Sequence, residues 1–175
     1  MIANEPQVMH VVVPGTFDPV TLGHVDVILR ARRLFPRGTV AVAASVNKRG
    51  SGPTFSLPER VEMISEALSA EGIHDVAVKP FSGLLVDFCH EEGAGAVVKG
   101  LRAMTDFEYE LQQADLNCHL SPDIESVFVM SSPKYGYVSS SIVREIASMG
   151  SSVETLVPRN VNERLRERFG QGAQK

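Results

Sequence analysis

The sequence predicts an α/β protein, doubly wound around a five-stranded parallel sheet with helices on both faces. Three observations lead to this expectation. Short, β-branched apolar runs recur along the chain, at Val8–Val13, Thr39–Ala44, Asp75–Pro80, Ala96–Lys99 and Ser126–Met130. Where they do not alternate they are continuously apolar, which marks strands buried on both faces of a parallel sheet. Segments with helical spacing lie between them, so strand and helix alternate, and right-handed crossovers wind such a chain into a Rossmann-like sheet.

The helices announce their ends. The first is expected from about Gly23 to Leu34, with Val25, Ile28 and Leu29 facing inward. Ser56-Leu57-Pro58-Glu59 and Thr105-Asp106-Phe107-Glu108 have capping-box spacing, in which a hydroxyl and a Glu three residues on satisfy free N–H groups. They open the second and fourth helices. Val61, Ile64 and Leu68 line one face of the second; Phe107, Leu111, Ala114 and Cys118 line one face of the fourth. A shorter helix follows Leu84 and stops near Gly93. Ser139–Met149 closes at Gly150, and Val161–Phe169 follows Pro158. The 175 residues read as a single domain, with 1–7 an N-terminal extension and 170–175 a flexible tail.

Composition narrows the function classes. Hydrophobic residues at 43% and charged residues at 22% match a folded globular chain. Apolar stretches such as Val40–Ala44 are far shorter than the ~18–20 residues of a membrane helix, and Met1–Gln7 carries no signal pattern. No membrane partner is expected, and the expected location is cytoplasmic. A net charge of −4 argues against nucleic acid as a partner, so any anion site must be local. Cys89 and Cys118 are expected as buried thiols. His90 and His119 follow them, but the spacing lacks C-x-x-C or H-x₃-H, and no metal ligand is named.

In a doubly wound sheet ligands bind beyond the C-terminal strand ends, which selects Pro14–Val20, Val46–Phe55, Phe81–Leu85, Gly100–Asp106 and Ser131–Val138. The first of these loops lacks both G-x-G-x-x-G and the P-loop pattern. It sets Gly23 and His24 in the first turn of a helix, where free N–H groups and the dipole favour phosphate. Lys99 directly follows Ala96-Val97-Val98 at the end of a buried strand, a place with little use for a cation unless it meets an anion. Lys48, taken alone, reads equally as a solvated loop lysine. Asp18 reads as a turn residue bonded to local N–H groups before Pro19. Ser139–Ser141 supply an N-cap, a phosphate clamp, or both.

Pro14-Gly15-Thr16-Phe17-Asp18-Pro19-Val20-Thr21-Leu22-Gly23-His24 resembles the T/H-x-G-H signature of the nucleotidyltransferase superfamily, with Thr21 where other branches have the first His. Lys99-Gly100-Leu101-Arg102 followed by Asp106–Glu110, and Val138–Arg144, resemble two further signatures of the phosphopantetheine adenylyltransferase family. The resemblance spans about Val8–Glu167. It implies reversible transfer of an adenylyl group from ATP to 4′-phosphopantetheine, giving dephospho-coenzyme A and pyrophosphate in coenzyme A biosynthesis. Mg²⁺ accompanying ATP, a homohexameric assembly and coenzyme A as an inhibitor are implied with it.

Residue roles follow from the same resemblance. His24, Lys48 and Arg102 are the expected catalytic groups, with His24 donating to the α-phosphate. Thr16, Lys48, Leu85 and Lys99 are expected to hold phosphopantetheine, Leu85 through its backbone. Thr16, Phe17, His24, Gly100, Leu101, Arg102 and Glu110 are expected to line the ATP side, Glu110 at the ribose. Tyr135, Gly136, Tyr137 and Val138 are expected against the adenine, and Ser139, Ser140 and Ser141 at the phosphates. The attacking phosphate is already a dianion near neutral pH, since its second pKa is about 6, so no general base is required. Two positions depart from the family's habit: many relatives have Arg at Lys99, and Asp at Gly83. Two alternatives compete, a nicotinate or nicotinamide mononucleotide adenylyltransferase and a non-catalytic nucleotide or coenzyme A sensor. The sensor is expected to lose the transition-state groups first, and His24, Lys48 and Arg102 are all present.

Overall fold

The computed structural model describes residues 8–44, 52–102 and 104–170. Its elements follow in the order β1 (His10–Gly15), α1 (Leu22–Leu34), β2 (Arg37–Ala43), α2 (Leu57–Ala70), β3 (Ala77–Phe81), α3 (Leu85–Glu92), β4 (Ala96–Leu101), α4 (Met104–Leu120), β5 (Glu125–Met130), α5 (Ser140–Ser148) and α6 (Arg159–Gly170). The strands form one sheet in the order β3-β2-β1-β4-β5, every pair parallel. The expected doubly wound fold is present.

Strand period divides the core in two. Val11, Val13, Val40, Val42, Ala96 and Val98 point to one face, where they meet residues of α1, α2, α5 and α6 such as Ile28, Ile64, Val143 and Leu165. Val12, Ala41 and Val97 point to the other face, against Phe88, Cys89, Ala94 and Ile124. Burial pushes the Cys89 thiol up to about 11.

The register explains where the fold opens. β1 pairs with β2 along its whole length, from His10 opposite Arg37 to Gly15 opposite Val42. With β4 it pairs only through Val11 opposite Ala96 and Val12 opposite Val97. Beyond those residues the two strands part, and their C-terminal halves flank a wedge that α1 enters from one side. α1 comes close: a Cβ placed on Gly100 of β4 lies 2.6 Å from Cγ2 of Val27. Val25, Val27, Ile28 and Ala31 are the buried residues of α1, whereas Leu29, expected inward, is half-buried.

Caps fix the other boundaries. Glu59 N–H donates to Ser56 Oγ at 3.4 Å and Ser56 N–H to the Glu59 carboxylate at 2.7 Å, the expected box. Gly93 ends α3 at φ 64°, a left-handed position suited to glycine. The fourth helix departs from expectation. It begins at Met104, so Thr105 lies inside it and not at its N-cap. Much of its apolar face lies open: Phe107, Leu111 and Cys118 are exposed, as are Leu116 and Leu120. Of the two thiols expected to be buried, only Cys89 is.

Gly100→Ala is expected to destabilise the fold by about 1–3 kcal/mol, because the β-branched Val27 on a helix has little rotamer freedom to make room. Urea unfolding midpoints of the variant and the parent chain measure the loss.

Candidate active site

The wedge between β1 and β4 is a cleft of about 550 Å³. Its walls come from the β1–α1 loop and the first turns of α1, the end of β4, the middle of α4, the end of β5 and the start of α5. The three sequence signatures, separated by more than a hundred residues, converge on this one space.

His24 occupies the N3 position of α1, and the helix start dictates its state. Thr21 is the N-cap; its Oγ1 accepts from His24 N–H at 3.3 Å, and Thr21 N–H donates to His24 Nδ1 at 3.0 Å. A histidine thus fills the role that Glu or Gln takes in a capping box. Since Nδ1 accepts from a backbone N–H, the neutral ring carries its proton on Nε2. Burial, and secondarily the positive charge of Arg102, pushes the His24 pKa down to about 4. The ring is held edge-on by Phe17, centroids 5.1 Å apart. Phe17 itself is buried at φ 49°, an unusual conformation for a bulky residue, and its ring fills the space that a side chain at Gly15 would need, 2.8 Å from a Cβ there. His24 is therefore an uncharged, oriented N–H donor at neutral pH.

Charged groups face it across the wedge. Lys99 Nζ lies 2.7 Å from Glu110 Oε2, both side chains about three-quarters buried. Arg102 donates to the Val138 carbonyl at 3.1 Å, which joins the β4–α4 turn to the start of α5. At α5, Ser139 is the N-cap, accepting from Ile142 N–H at 3.2 Å, and Ser140 Oγ donates to the Pro19 carbonyl at 2.8 Å. Ser141 is exposed on the cleft wall. The serine run thus both caps its helix and ties it to the β1–α1 loop.

Other expected site residues stand elsewhere. Thr16, Phe17, Gly100 and Val138 line the cleft with the groups above; Leu101, Tyr135, Gly136 and Tyr137 do not. Leu101 is buried, Tyr135 packs half-buried on the larger core, and Tyr137 is exposed. Leu85 packs against the smaller core at the start of α3. Lys48 lies outside the described residues. Tyr109 and Ser131 line the cleft without having been singled out, although Tyr109 stands beside Glu110 in the same motif.

Asp18 differs from its sequence reading in the identity of its donors. Its carboxylate accepts from Thr54 N–H and Phe55 N–H, both at 2.9 Å, groups far along the chain and not the local turn. Arg144 donates to the Asp18 carbonyl from the other side. With Asp18 so engaged and Glu110 paired to Lys99, no cluster of three potential metal ligands occurs among the described residues.

Residues 12–146 match the model of the cytidylyltransferase-like family. A phosphopantetheine adenylyltransferase of Thiobacillus denitrificans is 51% identical over 160 residues, covering 89% of this chain and 97% of that protein. One from Caldanaerobacter subterraneus is 48% identical over 156 residues, covering 89% and 94%. The chain belongs to the phosphopantetheine adenylyltransferase family. Among solved structures, a bifunctional NMN adenylyltransferase/ADP ribose pyrophosphatase from Francisella tularensis, complexed with AMP and a manganese ion, superposes with TM-score 0.67 over 94% of this chain at 16% identity. This chain spans about half of that protein, 52%, and at such identity the likeness establishes the shared fold alone. Membership of the phosphopantetheine adenylyltransferase family gives the T-x-G-H loop its setting, with Thr21 and His24 as the two members of one cap.

The His24 pKa has a stability consequence. Its folded value of about 4 lies below the ordinary 6.5, so between those values the unfolded chain binds the extra proton. The contribution is full above pH 6.5 and is lost as pH falls towards 4. The unfolding free energy of His24→Gln is therefore expected to fall less steeply than that of the parent across this window, read from denaturant titrations at stepped pH.

Proposed function

We propose that the cleft transfers an adenylyl group from ATP to 4′-phosphopantetheine, with His24 as the hydrogen-bond donor to the transferring phosphate. A phosphate oxygen of the acceptor attacks the α-phosphorus, the bond from that phosphorus to the oxygen bridging to the β-phosphate breaks, and pyrophosphate leaves. Charge builds on the equatorial α-phosphate oxygens during this step, and a fixed donor aimed there lowers the barrier. The observation that carries the reading is the tautomer: Thr21 N–H holds Nδ1 as an acceptor, leaving Nε2–H to donate, while the lowered pKa unsuits the ring to proton abstraction at neutral pH.

The remaining roles rest on placement and family resemblance together. Lys99 and Arg102, with Thr16, supply positive charge and hydrogen bonds to the acceptor phosphate and the departing oxygens; Lys48 joins them by resemblance. Lys99 is a point charge without the planar fork of Arg, and Glu110 holds it in place until the phosphate arrives. Ser141 and the open N-terminus of α5 face the nucleotide phosphates. Mg²⁺ belongs to the ATP it accompanies as substrate, keeping most of its water, since the carboxylates nearby are otherwise engaged. Identity with named family members over nearly the whole chain favours this acceptor over nicotinate or nicotinamide mononucleotide, and the intact donor set favours an enzyme over a sensor.

A homohexamer, feedback by coenzyme A and a cytoplasmic setting are part of the same proposal. The exposed Phe107, Leu111, Leu116 and Leu120 on α4 supply apolar surface for subunit contact, and both cysteines are free, as in a reducing compartment. Sizing in solution tests the assembly.

Two variants test the chemistry. Lys99→Ala is expected to raise the KM for phosphopantetheine more than that for ATP, while Lys99→Arg is mild; equal KM shifts refute the assignment to the acceptor. His24→Ala is expected to lower kcat by about 10²–10³-fold with ATP still bound. The rate of the parent enzyme falls on the acid side near pH ~6, as the acceptor dianion is protonated. In His24→Ala that limb persists. A profile flat to about pH 5 refutes the donor role and makes His24 the titrating group.

A further inference from the structure

Among the described residues Arg60 is the largest side chain to be completely withdrawn from solvent, 1% exposed, and the chemistry above makes no use of it. It stands in the first turns of α2, directly after the capping Glu59. Its guanidinium donates to three backbone carbonyls from three separate segments: Phe55 O at 3.1 Å, Thr16 O at 2.6 Å and Ala43 O at 2.9 Å. Ala43 ends β2, Phe55 precedes α2, and Thr16 is on the cleft wall. Burial lowers the Arg60 pKa, and the charge of Asp18 opposes that shift. Asp18 in turn binds the N–H groups of Thr54 and Phe55, so one short segment gives its N–H to the acid and its carbonyl to the base. Arg168 of α6 closes the segment from outside, donating to Thr54 O at 2.6 Å and lying 4.8 Å over the Phe55 ring.

We propose that Arg60 is a positioning residue for adenylyl transfer, fixing the Thr16–Phe17 peptide so that the Phe17 ring holds His24 in its donating orientation. The path is short and each link is a contact. Arg60 holds the Thr16 carbonyl; the next residue, Phe17, takes a left-handed conformation that a bulky side chain keeps only when its surroundings enforce it. The Phe17 ring then meets His24 edge-on at 5.1 Å. A lysine at position 60 keeps the positive charge near Asp18 but has a single nitrogen where Arg60 uses both Nε and Nη1, and it lacks the fixed fork that spans the three carbonyls. This inference rests on the adenylyl-transfer reading for its kinetic consequence, and on geometry alone for its effect on His24.

Arg60→Lys is assayed beside the parent with ATP and phosphopantetheine, with thermal midpoints, ATP affinity by calorimetry and ¹⁵N spectra of the histidine ring. The kcat is expected to fall about 10–100-fold, as for a small misplacement of a reacting group, with ATP affinity nearly unchanged. His24 shares the cleft with Arg102, Lys99 and Glu110, all unaltered, and in the parent it stays the neutral Nε2–H form at about pH 5.5. In Arg60→Lys it is expected to be protonated there, as its support loosens and water enters. A folded Arg60→Lys with unchanged kcat, or with reduced kcat and parent-like His24 signals, overturns the proposal. Should that variant not fold, Phe17→Leu keeps Arg60 and its three bonds while removing the ring from His24. The same drop in kcat and the same change in the spectra are expected of it, and parent-like values overturn the proposal. A parent inert towards ATP and phosphopantetheine refutes the functional reading instead, and the His24 spectra then decide the positioning role alone.

Discussion

The parting of β1 from β4 after Val12 and Val97 is the constraint on which the rest of the site depends. A parallel sheet brings all its strand C-termini to one edge, and the chain order turns back across β1, so the loops after β1 and β4 leave in opposite directions. Had the two strands stayed paired to their ends, side chains of α1 and α4 would have had no shared space to enter. Instead α1 presses into the gap until only a glycine fits at position 100, and its N-terminus points at the opening. That geometry suits a phosphate before any side chain is considered, because the positive dipole end of α1 faces the cleft at Gly23.

On that frame the capping of α1 does double duty. The bonds that satisfy the first turn of the helix also select the tautomer of His24, so the helix cannot start properly unless the donor is correctly prepared. In the proposed role of His24, folding and catalysis share one set of atoms. Ser139 and Ser140 repeat the pattern at α5, where one hydroxyl caps the helix and the next binds the Pro19 carbonyl, locking the third signature against the first.

What the sequence made legible follows from which signals are local. Strand period and continuous valine runs marked the five strands, and Ser56 with Glu59 marked a helix start, because each pattern is complete within a few residues. The convergence of Thr16, His24, Lys99 and Arg102 was legible through the fold, which determines where strand ends meet. What covers the fourth helix was not legible, for a physical reason. Apolar residues at helical spacing show that a face is apolar but not what covers it: the Phe107 ring meets that of Phe128 on β5, centroids 6.2 Å apart, whereas Leu111 and Cys118 are exposed. The partners of Asp18 were hidden because Thr54 and Phe55 contribute only backbone, which carries no signal in residue type.

Arg60 was hidden more thoroughly, and the reason bears on how such sites are built. An arginine beside a capping Glu reads as a solvated first-turn residue, while Val61, Ile64 and Leu68 account for the amphipathic face without it. Burying a guanidinium is costly unless its donors find partners, and here three carbonyls at strand and loop ends accept from Nε and Nη1. Those carbonyls are available because β2 ends at Ala43 and the loops on either side leave the sheet there, so their ladder partners are gone. The edge of the sheet that creates the substrate cleft therefore also creates unpaired backbone acceptors behind it. One buried cation with several donors settles them together, and holding loops from different strands in a fixed relation is a consequence of satisfying their hydrogen bonds.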